Sequence, residues 1–420
     1  MNKRLLKQIK IANETAVERI FNSEPVLYDL RRANQVIPGM QRNMILHAGP
    51  PLLWEEMTGA LKGAIIGAII FEGWAKSKEE ALKIASSGLI TYSSTHDHNS
   101  VAPMTGVISP SMNVFCVKNI TYGNFSYCNL NEGLGHVLRF GAYDDTVIQH
   151  LKWVNEWVAL VFKKAVYLSG PISLKPIMIE AMQKGDECHN RHVAGNGLFI
   201  DIIRPYLIKM DMKKTEINKV LEFIESNYYS FLNLSLAACK ATADVTNDIP
   251  YCTLVWALSR NGKDTGIRVS GLNTNWYSAK SDIPDGRFFN GYSKSNANPD
   301  MGDSTITETV GIGAFAMGAA PEIVSYLGGQ ADDVIKHSYK MYDITYSENQ
   351  NFKIPQFGLK GTPTGIDILK VVETKITPII NTGIAHKDGG VGQIGAGLVY
   401  APIECFENAL HAFEEKYGKI

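Results

Sequence analysis

The stretch 144–247 constrains this chain more than any other. Roughly a hundred consecutive residues carry almost no strand signal. Ile148, Leu151, Val154, Val158 and Val161 keep the three-and-four spacing that puts apolar side chains on one helix face. Further helices are expected over 174–184, 198–209, 216–225 and 231–243. On either side, helical spacing alternates with short β-prone runs. The fold class that follows is α/β (mixed α+β): two mixed lobes, 1–143 and 250–420, with an all-helical domain, 144–249, inserted between them. A chain of 420 residues is long enough for two or three such units.

In the first lobe, residues 5–20 suit a helix, and RNMILHAGPP (42–51) reads as a strand running into a turn. A long helix is expected over 52–74, where Gly59, Ala60, Gly63, Ala64, Gly67 and Ala68 would let another backbone come close. A short helix (78–86) and an apolar strand lead into THDHNS, and strands joined by turns follow. In the last lobe, Asn261-Gly262 marks a hairpin. Beyond it come a second small-residue helix (ITETVGIGAFAMGAAP), a helix over 332–346, a strand in TPIINTGIAH, a glycine-rich turn and a terminal helix from 403. Each lobe thus runs from small-residue helix to helix to strand to histidine, a faint internal echo.

Lys+Arg number 41 against 42 Asp+Glu, so no basic excess points to nucleic acid. Cys116, Cys128, Cys188, Cys239, Cys252 and Cys405 are scattered, with no CxxC pair. That suits reduced thiols in a cytoplasmic protein and argues against both a disulfide framework and cysteine-held zinc. The N-terminus is charged throughout, unlike a signal peptide, and the most apolar run, GAIIGAIIF (63–71), is too short to span a bilayer. Neither membrane nor nucleic acid is an expected partner.

Five stretches carry chemistry. THDHNSVAPMT (95–105) is the densest polar run. Its His96 and His98 share a face if the chain is extended there, which would suit a metal or a proton-transferring pair. The plainer alternative is a polar turn in which Asp97 and Asn99 bond local backbone. GDECHNRHVAGNG (185–197) sets Asp186, Glu187, Cys188, His189, Asn190, Arg191 and His192 in succession. Acidic residues favour a helix start, which accounts for the first two only; an Arg beside helix-terminal N–H groups could hold a carboxylate or phosphate. NANPDMGDSTITET (296–309) places Gly302, Asp303 and Ser304 before an apolar helix, which is cap chemistry and equally an anion cradle.

GIAHKDGGVGQIGAG (383–397) contains a literal GxGxxG at Gly390, Gly392 and Gly395. No helix follows at once and the chain ends before a full βαβ unit, so a dinucleotide site is rejected. The similar spacing from Gly311 to Ala316 falls inside an expected helix. His386 and Lys387 remain plausible anion contacts. LHAGPPLLWEE (46–56) marks a strand-to-helix junction at which His47 is structural. A Walker loop, a GxSxG elbow and HExxH are all missing from the sequence.

Taken in order, HAGPP with a helix ending in FEGWA, THDHNSVAPMTG, GDECHNR, NANPDMGDSTITET and GIAHKDGGVGQIGAG resemble the YlbE/YahG-like bacterial family. AllG-type subunits of oxamate carbamoyltransferase form one branch of it. The resemblance runs from about residue 47 to the C-terminus. It implies a mixed α/β fold with a small helical domain. The reaction implied is oxalurate plus phosphate giving oxamate and carbamoyl phosphate, in anaerobic allantoin breakdown, without cofactor or metal. The implied partners are a small anionic substrate, phosphate and an FdrA-like subunit (similar to the succinyl-CoA synthetase α subunit); a homodimer is also open.

On this reading His96 or His98 shuttles a proton, oriented by Asp97. Arg191 and Lys387 bind anionic groups, and the turn 302–304 supplies N–H donors. Asn99, Thr105, Asp186, His189, Asn190, Asn298, Asp300, Asp303, Ser304, Glu308, His386 and Gln393 complete the pocket. The alternatives are a noncatalytic scaffold or regulatory subunit, a transfer or lyase activity on another ureido or amide substrate, and a metal-dependent hydrolase. One spatial expectation follows: 95–99 lies near 186–191, 300–304 or 386–387, or else the turn reading wins.

Overall fold

The computed structural model describes residues 3–419. The outermost ends of the first and last segments lie outside that range. Near the N-terminus, Pro25–Arg32 pairs on one side with Asn113–Asn119 and on the other with the two-residue strand Ile172–Ser173. Phe125–Asn129 completes this four-stranded antiparallel sheet. Apart from the short strand Ile172–Ser173, the middle of the chain forms helices Asp145–Trp153, Ala159–Ser169, Leu174–Gln183, Val193–Leu207, Lys214–Ser226 and Ser230–Ala243. Asp144 starts the series by accepting from the Val147 N–H at 3.1 Å, an N-cap.

Every residue of Ser230–Ala243 is buried. Its sequence, SFLNLSLAACKATA, is apolar or small but for Asn233 and Lys240, as suits a helix packed all round. It lies against the strands Asn113–Asn119 and Phe125–Asn129. The polar groups it buries are bonded: Asn233 donates to the Asn129 carbonyl at 2.7 Å and Ser235 to the Cys188 carbonyl at 2.8 Å. Phe115, Phe162, Phe199 and Phe231 pack ring to ring in succession, tilted or edge-on, so sheet and helices share one core.

In the last third, Val255–Asn261 and Asp264–Val269 form the expected hairpin. The Asn261 side chain closes it, accepting from the N–H groups of Lys263 (2.9 Å) and Asp264 (2.7 Å). Met301–Gly302 and Tyr277–Lys280 flank this pair. A second sheet runs Asp285–Phe288, Gln393–Tyr400, Ile379–Ala385. The strand Gln393–Tyr400 is hidden in the sequence because it is glycine-rich. A Cβ at Gly395 or Gly397 would sit 2.4 Å from a backbone oxygen of the neighbouring strand, so glycine there serves close pairing rather than a turn.

The two small-residue segments behave differently. Gly59–Phe71 is a helix, shorter than expected because a 3-10 turn, Trp54–Glu56, precedes it. Its glycines meet backbone as anticipated: a Cβ at Gly59 would lie 2.2 Å from the Lys387 carbonyl, and one at Gly63 2.3 Å from that of Gly141. The second segment is not one helix. Only Ile306–Thr309 is α-helical; the chain turns at Gly311 (φ +85) and Gly313 (φ +66) and resumes as the 3-10 segment Gly313–Ala319. The break has a polar cause. The Glu308 carboxylate folds back to accept the Ala314 N–H at 2.7 Å, and the Gly313 N–H goes to the Glu187 carbonyl at 2.8 Å. The echo between the lobes therefore fails at its first element. Among the described residues no helix is long and apolar enough to cross a membrane.

Candidate functional site

THDHNS follows the strand Thr91–Ser94, which pairs in parallel with Met44–His47. It is not extended. Thr95–His98 is a 3-10 turn ended by Asn99 in the left-handed region (φ 53), and the Ser100 N–H closes back on the Thr95 carbonyl at 3.0 Å. The two histidines therefore do not share a face. His96 is buried, whereas the His98 ring lies between the Pro38 carbonyl (2.6 Å) and Ser93 Oγ (2.9 Å). Asp97 orients neither; its carboxylate pairs with Arg268. Among the described residues no group of three His, Cys, Asp or Glu has the geometry to hold a metal.

Asp303 ties the motifs together. Its carboxylate, fully buried, accepts from the Gly49 N–H (3.0 Å), the Thr95 hydroxyl (2.6 Å), the Ala102 N–H (2.9 Å) and the Ser259 hydroxyl (2.5 Å). His96 Nε2 stands 3.5 Å from it. One side chain thus joins HAGPP, THDHNSVAPM and GDST, and the expected neighbourhood of 95–99 and 300–304 is present. Burial pushes the Asp303 carboxyl up, against the pull of these donors. Next to it, Arg260 is fully buried in a two-pronged pair with Asp300: Nε–Oδ2 at 2.7 Å and Nη2–Oδ1 at 3.1 Å. Asp300 is therefore committed to structure.

On the other side of this turn lies a narrow chamber lined by Arg139, His189, Asn190, Tyr229, Ser304 and Thr382. They come from five separate stretches of the chain. Arg139 follows a 3-10 start and stacks on Phe140 (4.8 Å) and Tyr229 (5.6 Å). Its Nε donates to the Gly133 carbonyl at 2.9 Å, but its Nη2 is buried with no acceptor among the described residues. Burial lowers the Arg139 pKa. Nearby Glu132 is pushed up to about 7 by burial, with Arg139 pulling the other way.

The loop 186–192 is built around Glu187, which caps its own turn by accepting from the N–H groups of His189 (3.0 Å), Asn190 and Arg191 (2.7 Å). Burial raises this carboxyl to about 7. His189 Nδ1 lies 3.0 Å from Glu308, which fixes the ring. Asn190 donates to the Asn381 carbonyl (2.8 Å) and accepts the Tyr229 hydroxyl (2.8 Å) through its own. Thr382 donates to Asp300 at 3.0 Å.

Other expected site residues are committed elsewhere. Arg191 reaches outward to Glu322 (2.7 Å) and donates to the Gly185 carbonyl (3.0 Å). Asp186 accepts the Gly195 N–H at 2.8 Å, and burial pushes it up to about 6. Asn298 bonds the Ala385 carbonyl through its N–H at 2.9 Å. His386 receives the Asp388 N–H (3.0 Å), and Lys387 donates to the Ser295 carbonyl (2.9 Å); neither lines the chamber. Gln393 accepts the Gly135 N–H (3.1 Å) and donates to the Tyr326 hydroxyl (2.9 Å), tethering the loop that carries Leu134 over the chamber. Thr105 touches the site through backbone, its N–H on the Arg139 carbonyl at 3.1 Å.

His96, Asp97 and Asn99 instead border a separate cleft of ≈ 410 Å³ with Lys240 and Arg268. Arg139, Lys240 and Arg268 were not singled out in the sequence. Each is a lone cation in an apolar setting (VLRFG, AACKATA, GIRVS), which was the available signal.

Residues 90–304 match the family model described as oxamate carbamoyltransferase subunit AllG. The chain is 43% identical over 410 residues to the oxamate carbamoyltransferase subunit AllG of Escherichia coli K12, covering 97% of this chain and 98% of that protein. It is 44% identical over 414 residues to the uncharacterized protein YahG of the same strain, covering 99% and 88%. A crystal structure of a conserved protein of unknown function from Enterococcus faecalis V583 superposes with a TM-score of 0.96 at 43% identity, covering 98% of this chain and 99% of that one.

Proposed function

The chain belongs to the YahG/AllG-like family, and from that membership we propose that it serves as a carbamoyltransferase subunit acting on oxalurate and phosphate. The proposed setting is anaerobic allantoin breakdown, in complex with an FdrA-like subunit. The observation that carries the reading is Arg139 Nη2, a buried cationic donor with no acceptor among the described residues, in a chamber shared with His189, Asn190 and Ser304. A buried guanidinium N–H left unsatisfied is costly, and an anion that enters once this chamber of ≈ 10 Å³ widens removes that cost.

In the proposed step an oxygen of phosphate attacks the carbamoyl carbon, the bond from that carbon to the bridging nitrogen breaks, and the nitrogen leaves as the amide of oxamate. The proton this nitrogen needs comes from the phosphate, so the reaction balances without an external acid. Arg139 replaces Arg191 and Lys387 as the anion contact. On this reading His189, held through Glu308, and the Ser304 hydroxyl stabilise charge on the carbamoyl oxygen; both line the chamber. Leu134, between Gly133 (φ +101) and Gly135 (φ +82), forms the outer wall that must yield for substrate to enter.

The test is phosphorolysis of oxalurate with partner subunits present. Arg139→Met should lower the rate by about 100-fold or more, the loss typical of one charge-stabilising donor. Arg191→Ala and His98→Ala should stay near the wild-type rate. A folded Arg139→Met protein with normal turnover sinks the assignment.

A further inference from the structure

The cleft beside His96 is built like a binding site, yet the chamber makes no use of it. Lys240 is 1% exposed, its ammonium 2.6 Å from Asp244 and 3.2 Å from His96 Nδ1. Arg268 is 3% exposed, stacked at 4.2 Å on Trp276 and 5.5 Å on Trp256. One N–H of Arg268 goes to Asp97, but its Nε has no acceptor among the described residues. Burial, then Lys240 and Arg268, hold the His96 pKa well below the ordinary histidine range. The neutral ring therefore accepts from Lys240.

The cleft also holds unsatisfied acceptors. Asn124 Oδ1 and Asn247 Oδ1 are buried without a donor among the described residues. The orientation of Asn124 is set by its Nδ2, which donates to the Ala241 carbonyl at 2.9 Å. Two buried cations side by side are costly without compensation. The remaining demand is specific: an anionic or carbonyl acceptor for Arg268, and N–H donors for the asparagine carbonyls.

Charge narrows the ligand further. Lys240 and Arg268 are balanced by Asp244 and Asp97, so the ionisable groups of the cleft sum to zero. A dianion such as phosphate would meet two carboxylates with no surplus positive charge. A singly charged planar group beside an amide fits both demands.

We propose that this cleft is a second ligand site, separate from the Arg139 chamber, for a small amide-bearing monocarboxylate. Its carboxylate engages Arg268 and Lys240, and its amide N–H groups engage Asn124 and Asn247. The proposal stands on the cleft alone and does not depend on the carbamoyl-transfer reading. The two sites share a wall, since His96 faces the cleft and stands 3.5 Å from Asp303, next to Ser304 of the chamber.

Calorimetric titration of the full chain with oxamate as the probe tests it. One oxamate per chain should survive Arg139→Met. The same binding event should weaken by about tenfold or more in Arg268→Gln and in Asn247→Leu, the loss of one charge-assisted or buried hydrogen bond. Inorganic phosphate should not displace it. If Arg268→Gln fails to fold, as judged by circular dichroism, the half-buried Asn247→Leu decides alone. Binding that Arg139→Met abolishes, no saturable binding, or displacement by phosphate at equal concentration would each overturn the proposal.

Discussion

Asp303→Asn is the most informative single change to the frame that holds the site. The substitution keeps shape but turns one carboxylate oxygen into an NH₂. Oδ1 accepts the Gly49 N–H and the Ser259 hydroxyl; Oδ2 accepts the Ala102 N–H and the Thr95 hydroxyl. A hydroxyl can turn and accept instead. A backbone N–H cannot, so whichever way the amide flips, the N–H of Gly49 or of Ala102 faces another donor. Leaving one buried N–H unsatisfied costs about 1–3 kcal/mol. The surviving bonds also lose charge assistance, and such bonds are about twice as strong as neutral ones. Against this, the amide relieves the burial that pushes the Asp303 carboxyl up. The balance is a loss of about 3 kcal/mol, a large share of the roughly 5–15 kcal/mol that stabilises a typical domain. Urea unfolding reads it as a lower midpoint at unchanged slope. Native-state hydrogen exchange should show faster exchange at Gly49 or Ala102. A loss under about 1 kcal/mol, with both amides protected as before, would refute the view that this carboxylate joins the three motifs.

Gly311→Ala should destabilise by about 3 kcal/mol, since the residue sits at φ +85 and the new Cβ would fall 2.0 Å from Thr364 Oγ1 and 2.7 Å from the Pro363 carbonyl. Gly358→Ala, at φ +65 and ψ 37 in the left-handed region with nothing within 4 Å, carries only the backbone term and should lose about 1 kcal/mol by thermal unfolding. Equal losses would show that crowding at Gly311 is not the cause. His192 is buried, and burial lowers its pKa from 6.5 to about 3. A folded-state pKa below the unfolded value means the folded protein resists the proton. Its contribution is present above pH 6.5 and is lost as pH falls towards 3, up to about 5 kcal/mol in the limit. Glu132 and Glu187, both raised to about 7, act oppositely, losing stability as pH rises from 4.5 to 7. The His192 effect is therefore read as the difference between wild type and His192→Gln in urea midpoints from pH 7 to pH 4. Parallel curves would contradict it.

What could be read from the chain and what could not divides along physical lines. Apolar spacing and turn residues are local signals, so the helix Asp145–Trp153 and the hairpin at Asn261-Gly262 were legible. Glycine is ambiguous, because it serves turns and close packing alike. Gly59 and Gly63 were correctly read as close-approach residues, whereas Gly395 and Gly397 looked like a turn and are strand. Gly311 and Gly313 looked helical because nothing nearby in sequence announces that Glu308 bonds the Ala314 N–H and breaks the helix. The same limit applies to the site. A cluster such as GDECHNR is visible, but its loudest member, Arg191, is satisfied by Glu322, 131 residues away. A charged side chain is free for a ligand only when the fold supplies no partner, and that is a property of the whole chain. Arg139 and Arg268, alone among apolar residues, each keep one buried N–H without an acceptor among the described residues, Arg268 despite its pair with Asp97. An isolated cation in an apolar segment is accordingly the better sequence signal in this chain than a dense polar run. The polar run satisfies itself; the isolated cation must find its counter-charge across the fold or in a ligand.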